Sequence, residues 1–157
     1  MSIFEALVVS HEQQRRMSDE LIGMTQDSEE RRALFERLKE ELTHHAASEE
    51  RFFYKALLDF DSTQNLARHS VSEHHDIDEL IEAVENADPA SADEYLEATK
   101  KLHKRVHHHL DEEEDEIFAG ARKVLDEAQA ETLGAAYRKE MELRARGKVE
   151  TLSSADV

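Results

Sequence analysis

Two histidine–glutamate pairs recur in the chain at a spacing suited to metal binding. His45 and Glu49 lie four residues apart in "HHAASEE", and His109 and Glu113 repeat this spacing in "HHHLDEEEDEIF". Residues four apart on an α-helix lie one turn apart on the same face. Imidazole nitrogens and carboxylate oxygens on one face are suitable ligands for iron, manganese or zinc. These pairs therefore predict a metal site.

Hydrophobic periodicity divides the 10 histidines of the chain into four that are predicted to face inward and six that are not. In each of four predicted helices, apolar residues recur at spacings of three and four, which is typical of the inner seam of a helix bundle. His11 and His74 continue the seam of the first and third helices, as His45 and His109 do in the second and fourth. The off-seam histidines, predicted to lie at the surface, are His44, His69, His75, His103, His107 and His108.

Burial is the reason to expect a bound cation. A buried ionised carboxylate costs several kcal/mol unless it is paired. A metal ion compensates the charges of Glu49 and Glu113 and binds the neutral imidazoles. At a rise of about 1.5 Å per residue, the four histidines fall within a turn or two of one level. The predicted metal ligands are His11, His45, Glu49, His74, His109 and Glu113.

The elements that must position these side chains are helices. The 157 residues include only 4 Gly and 1 Pro, whereas strong helix formers are abundant, so the chain is predicted to be all-α. The predicted helices run from about Ile3 to Met24, Glu29 to Phe60, Asp61 to Asn86, Ala92 to Ala128 and, as a shorter segment, Glu131 to Arg146. Because the connections are short, neighbouring helices are expected to be antiparallel, in an up-down-up-down four-helix bundle.

One domain is expected over residues 1–128, followed by a C-terminal helix and a flexible tail over residues 129–157. Ser28 and Ser91 are typical helix N-caps and are predicted to begin the second and fourth helices. Beyond the two glutamates, the predicted seam continues through Phe52 and Ala56 in the second helix. In the fourth helix it reaches Glu116 or Ile117, then Gly120 and Val124.

Composition argues against several classes of function. The net charge of −17 would repel a phosphate backbone, so nucleic-acid binding is not expected. The chain has no Cys, which rules out disulfides and thiolate metal ligands. No apolar run is long enough to span a membrane, and the N-terminal segment does not have the pattern of a signal peptide. We expect a cytoplasmic protein with no membrane or nucleic-acid partner.

Four motifs in order along the chain resemble the hemerythrin-like HHE cation-binding domain family. They are "LVVSHEQQ", "HAASEERFFYKAL", "SEHHDIDELI" and "HHLDEEEDEIF", and together they extend over roughly residues 3 to 125. The resemblance implies a four-helix bundle that holds two non-haem iron ions, bridged by carboxylates and an oxo or hydroxo group. It assigns the same six ligands as the seam does. Zinc or manganese would also suit these ligands.

Further candidates for an extra ligand, or for a side chain next to the ligands, are Asp78, His75, His103 and Tyr54. Asp78 stands where oxygen-carrying relatives have a further histidine, four residues after His74. Lys55 and Ala119 replace a proline that many relatives have. These departures argue against simple reversible oxygen carriage.

The leading functional hypothesis is a di-iron protein that binds or reacts with a small diatomic or peroxidic ligand, namely O2, NO or peroxide. We expect a binding protein rather than a turnover enzyme, and no residue is assigned a catalytic role. One alternative is an iron- or oxygen-responsive regulatory domain. Another is a metal-free helical interaction module in which protonation of the histidine cluster changes the packing near pH 5–6.

Overall fold

The computed structural model describes residues 1–147, which form five helices and, within that range, no strands. The helices are α1, Ile3–Gly23; α2, Glu29–Glu49 with a π turn Glu50–Tyr54 and a last turn Lys55–Leu57; α3, Asp61–Asn86; α4, Ala92–Glu112 with a π turn Glu113–Ile117 and an end segment Phe118–Val124; and α5, Glu127–Ala145. The predicted flexible tail lies almost entirely outside the described residues.

The helix starts follow the N-cap signals in the sequence. Ser28 Oγ accepts a hydrogen bond from the backbone N–H of Arg31 at 3.0 Å, and Ser91 caps α4 in the same way. A side-chain oxygen at this position satisfies a backbone N–H that has no partner within the helix. The predicted starts of α2 and α4 are therefore confirmed.

The boundary between α4 and α5 differs from the predicted one. Helix α4 ends at Val124 instead of Ala128, because Asp126 caps the next helix. Asp126 Oδ1 accepts from the N–H of Gln129 at 2.8 Å, and the Gln129 side chain accepts from the Asp126 N–H at 2.8 Å. This reciprocal capping box starts α5 at Glu127, ahead of the predicted Glu131.

Helices α1 to α4 form the predicted antiparallel bundle, and α5 packs against α1 and α2. Two apolar clusters fill the bundle, one toward each end. The first includes Phe4, Leu7, Phe53, Tyr54, Leu57, Ile117, Phe118 and Tyr137, and the second includes Leu21, Leu38, Leu42, Ile77, Ile81, Leu102 and Val106. None of the described helices combines the length and the apolarity needed to cross a bilayer.

The π turns shift the inner seam by one residue. Phe52 and Ala56, predicted to lie inside, are only partly buried, whereas Phe53, Tyr54 and Leu57 are buried. A π turn holds one residue more than an α turn, so every later side chain rotates relative to the predicted seam. In α4, Ile117 is buried as predicted. Beyond it, the same shift leaves Gly120 and Val124 only partly buried, and Phe118 and Ala121 are buried instead.

Candidate metal centre

The six side chains predicted as metal ligands converge at the centre of the bundle, between the two apolar clusters. All six are buried, with at most 5% of each residue exposed. Their ligand atoms form two overlapping groups, in each of which all four atoms lie within 4.8 Å of one another. One group comprises His11, His45, Glu49 and Glu113, and the other comprises His74, His109 and the same two glutamates.

Each glutamate is shared because its two oxygens face different groups. Glu49 Oε2 lies 3.4 Å from His45 Nε2, while Glu49 Oε1 lies 3.2 Å from His74 Nε2. Glu113 Oε1 lies 3.3 Å from His11 Nε2, and Glu113 Oε2 lies 3.5 Å from His109 Nε2. Each carboxylate therefore presents one oxygen to each of the two groups.

Most of the inward-facing polar atoms make no hydrogen bond. Within the described part of the chain, the Nε2 atoms of all four histidines, both oxygens of Glu49 and Oε1 of Glu113 have no hydrogen-bond partner. A single buried unpaired polar atom costs about 1–3 kcal/mol, so several at one point require compensation. Imidazole nitrogens and carboxylate oxygens suit iron, manganese or zinc, and the residues present therefore fit a metal centre.

The outer ring nitrogens, in contrast, all have partners. Each histidine places its Nδ1 atom near a second polar side chain, which fixes the ring and its tautomer, as around metal-bound histidines. The Nδ1 atom of His11 lies 2.8 Å from Glu114, and that of His45 lies 2.7 Å from the Tyr137 hydroxyl. The Nδ1 atom of His74 lies 3.3 Å from Glu50, and that of His109 lies 3.0 Å from Glu73. The four Nε2 atoms are thereby left to face the centre.

Comparison with known families agrees with this geometry. The model of the hemerythrin HHE cation-binding domain matches residues 2–121, a segment that contains all six buried side chains. The chain belongs to the hemerythrin family. A comparison with curated proteins gave no match, and a comparison with solved structures gave none either. Cation binding follows from the family, and the two buried groups have the side chains that could hold a metal ion.

The sequence reasoning missed all four outer partners. Three of them had a local signal, because Glu50 and Glu114 directly follow the two central glutamates and Glu73 directly precedes His74. Tyr137 had no such signal. It comes from α5, outside the segment that matches the hemerythrin family, and depends on how α5 packs.

The neighbouring glutamates change the charge state of two histidines. Burial alone would lower the pKa of His11, but its interactions with Glu113 and Glu114 outweigh burial and raise it to about 9. Burial would likewise lower the pKa of His74, but its contacts with Glu49 and Glu50 outweigh burial and raise it to about 10. Both imidazoles attract protons that a metal ion would have to displace.

The two central glutamates have opposite pKa shifts. Burial raises the pKa of Glu113, and the negative charge of Glu49 raises it further. For Glu49, the opposing effect of burial is outweighed by His45 and its other imidazole contacts, so its pKa falls well below the usual range. Two adjacent carboxylates are difficult to keep ionised together, and a bound cation would stabilise both in that state.

Tyr54 lies against the candidate centre. Its hydroxyl donates a hydrogen bond to Glu113 Oε2, and its ring lies 5.6 Å from the ring of His74. Phe118 occupies the corresponding place on the other side, stacked on His11 with 6.1 Å between ring centroids. Burial raises the pKa of Tyr54 well above its usual value, so this side chain is a neutral donor.

Of the further candidates predicted beside Tyr54, the structure brings none of His75, Asp78 and His103 into either buried group. His75 and Asp78 are exposed on α3. His103 instead faces α1, where its Nε2 lies 2.7 Å from Asp19 Oδ1. In the described structure, neither buried group includes any of the six histidines that the sequence placed off the seam.

Proposed function

We propose that this hemerythrin is a non-haem di-iron protein that binds or reacts with O2, NO or peroxide. The observation that carries the proposal is the set of unpaired, buried Nε2 and carboxylate atoms in two groups that share both glutamates. Family membership supports cation binding, and the bridging arrangement supports two ions instead of one.

In this proposal, His11 and His45 hold one ion, and His74 and His109 hold the other. Glu49 and Glu113 lie close to both pairs of histidines and would supply carboxylate oxygens to both ions. With two imidazoles and two carboxylate oxygens apiece, the ions would retain open coordination positions. Iron supplies a redox couple and a site for a small ligand at those positions.

The surrounding side chains would control what reaches the centre. Phe4, Phe53 and Phe118 pack edge to face, with centroids 5.2–6.0 Å apart, and form an apolar wall that excludes water. A groove of about 370 Å³ between α2 and α3 has Tyr54 among its lining residues. We propose this groove as the route of a small ligand, since Tyr54 also contacts Glu113.

An iron-responsive regulatory role is the second candidate. The favouring observation is again the group of unpaired buried ligand atoms, because a fold that contains them gains stability when a cation binds. Iron loss would then loosen the bundle, and a partner could recognise that change.

The first test is metal analysis of the aerobically purified full chain together with its optical spectrum. We expect about two irons per chain and near-ultraviolet charge-transfer bands, whose change after reduction and exposure to O2, NO or peroxide reports reaction. His45→Ala and Glu113→Ala should each remove most of the metal, because each removes a ligand.

His108→Ala is the matched control for these variants. His108 is exposed, and its Nε2 lies 3.2 Å from Glu112 at the surface. We expect this variant to retain the wild-type metal content. Stoichiometric metal in His45→Ala, or its loss in His108→Ala, would overturn the assignment. A metal-free wild-type protein that changes packing with pH would favour the helical interaction module instead.

A further inference from the structure

The centre has an internal pseudo-symmetry that relates α1 and α2 to α3 and α4. His11 and His74 occupy corresponding places, and each Nδ1 contacts the glutamate that directly follows a bridging glutamate. Each bridging glutamate also stands at a π turn, which begins just after Glu49 and at Glu113 itself. On this pattern, the outer nitrogens of His45 and His109 should have equivalent partners.

The symmetry fails at His45. The partner of His109 is Glu73, the residue just before His74, at 3.0 Å. The residue just before His11 is Ser10, whose hydroxyl is too short to take the same place. Ser10 Oγ lies 2.7 Å from the Tyr137 hydroxyl, and that hydroxyl lies 2.7 Å from His45 Nδ1. A phenol from α5 thus replaces the missing carboxylate.

We infer that Tyr137 is a positioning residue for the metal centre, acting through His45. This inference rests on the metal centre proposed above. Tyr137 is 1% exposed, and its ring packs edge to face on His45 at 5.9 Å. When His45 Nε2 binds metal, Nδ1 carries the ring proton and donates a hydrogen bond to the phenol oxygen, which fixes the tautomer. The Tyr137 hydroxyl then donates to Ser10 Oγ.

A glycine on α5 supports the position of Tyr137. Gly134 lies one turn before Tyr137, at the point where α5 meets the start of α1. A Cβ atom at position 134 would lie 2.5 Å from Met1 O and 2.8 Å from Ile3 N, both of which are backbone atoms. Glycine costs stability inside a helix, so its presence fits a requirement for this close approach. The approach carries the Tyr137 hydroxyl to His45.

The test compares the full-length wild type with Tyr137→Phe, which keeps the ring and removes the hydroxyl. Each protein is loaded with iron and mixed with excess chelator, and the rate of metal loss is measured. Removing a partner of a metal-binding histidine typically costs about 10–100-fold in affinity, so we expect loss that is faster by about this factor. Tyr95→Phe, at a buried tyrosine of α4 that stacks on Arg31, should lose metal at the wild-type rate.

A spectroscopic measurement separates positioning from general loosening of the fold. In the Co(II)-loaded protein, the ring N–H protons of the coordinating histidines give shifted NMR signals. Tyr137→Phe should shift the ring N–H signal of His45 and speed the exchange of that proton with water. The signals of the other three histidines should stay in place. Ser10→Ala, which leaves the contact between His45 and Tyr137, should have a smaller effect on both measurements.

The outcomes distinguish this inference from the metal centre itself. A wild type that binds no metal overturns both. Two bound ions in the wild type, with wild-type rates and signals in Tyr137→Phe, overturn the positioning role alone. If Tyr137→Phe does not fold, the wild type decides: a nuclear Overhauser effect between the His45 ring N–H and the Tyr137 ring supports the role, and its absence excludes it.

Discussion

Each of the four buried histidines uses its two ring nitrogens differently. The Nε2 atom faces a glutamate oxygen at the centre without a hydrogen bond, and the Nδ1 atom has a partner outside. Three of these outer partners are carboxylates and one is a phenol. Since a buried ring with one unpaired nitrogen is unfavourable, the arrangement is best explained by a cation at the centre.

Metal binding should release protons. The pKa values of His11 and His74, about 9 and about 10, mean that both imidazoles are protonated in the metal-free protein at neutral pH. Because a ligating imidazole is neutral, loading should expel about two protons per chain at pH near 7. Calorimetric Zn(II) titrations in buffers of different ionisation enthalpy measure this number.

The number of protons released on metal binding should fall as the pH rises toward the two raised pKa values, because a growing fraction of the two imidazoles is then already deprotonated. His108→Ala is the control and should give the wild-type count. A proton release that stays constant from about pH 7 to about pH 10 would contradict the charge states assigned to these two histidines.

At the scale of the elements, the helices do more than place ligands on one face. Each of the two central glutamates stands at the start of a π turn, Glu50–Tyr54 after Glu49 and Glu113–Ile117 at Glu113 itself. The π turns bring Tyr54 and Phe118 inward beside the histidines. Helix α5, in turn, is held against α1 at a glycine.

Gly134→Ala should destabilise the protein, whereas Gly120→Ala should not. At position 134 the new methyl group meets backbone atoms at 2.5–2.8 Å, so α5 must move away from α1. Overpacking costs about 1–3 kcal/mol and the helix propensity of alanine returns about 1, which leaves a net loss of up to about 2 kcal/mol. Thermal or urea denaturation measures the change in the free energy of unfolding.

Gly120→Ala is the matched comparison, since Gly120 also lies in a helix. Its methyl group would meet Leu66 Cδ1 at 2.9 Å, which is the end of a flexible side chain that can move. We expect unchanged or slightly higher stability for this variant. Equal effects of the two substitutions would argue against a close approach of α5 at Gly134.

Over the whole molecule, a charged layer lies between two apolar clusters, and the first cluster includes residues of α5. The apolar clusters stabilise the bundle through burial, while the charged layer between them is stable only when its charges are balanced. Balance can come from protons on the imidazoles or from metal ions, so the stability of the whole chain should depend on which is present.

The metal-free protein should lose stability in alkaline solution. Because the folded-state pKa values of His11 and His74 are raised above the ordinary value, their contribution to stability is complete below about pH 6.5. It is lost as the pH rises through about 9 and about 10. Melting temperatures of chelator-treated protein, measured from neutral to alkaline pH, should therefore fall.

The metal-loaded protein is the control for this pH series, because its histidines are already neutral and ligated. Its melting temperature should fall less over the same range. The difference between the two curves also removes the contribution of lysines, which titrate in both forms. Parallel curves for the two forms would contradict the prediction. A loosening near pH 5–6, as predicted for the metal-free module, is not expected from these two histidines, which stay protonated there.

The sequence by itself determined the helical class, the antiparallel bundle, the family and the identity of the six converging side chains. It could do so because helix periodicity is local: His45 and Glu49 share a face whatever surrounds them. The role of the six as metal ligands stays a prediction, as do the division near residue 128 and the cytoplasmic location.

Only the tertiary structure decided which oxygen of Glu49 faces which histidine, where the π turns shift the seam, and what holds each outer ring nitrogen. The contact between Tyr137 and His45 joins residues far apart in the chain. It exists because α5 can approach α1 at Gly134, a matter of packing between helices. Spacing within one helix carries no information about such an approach, since it depends on the shapes of both surfaces.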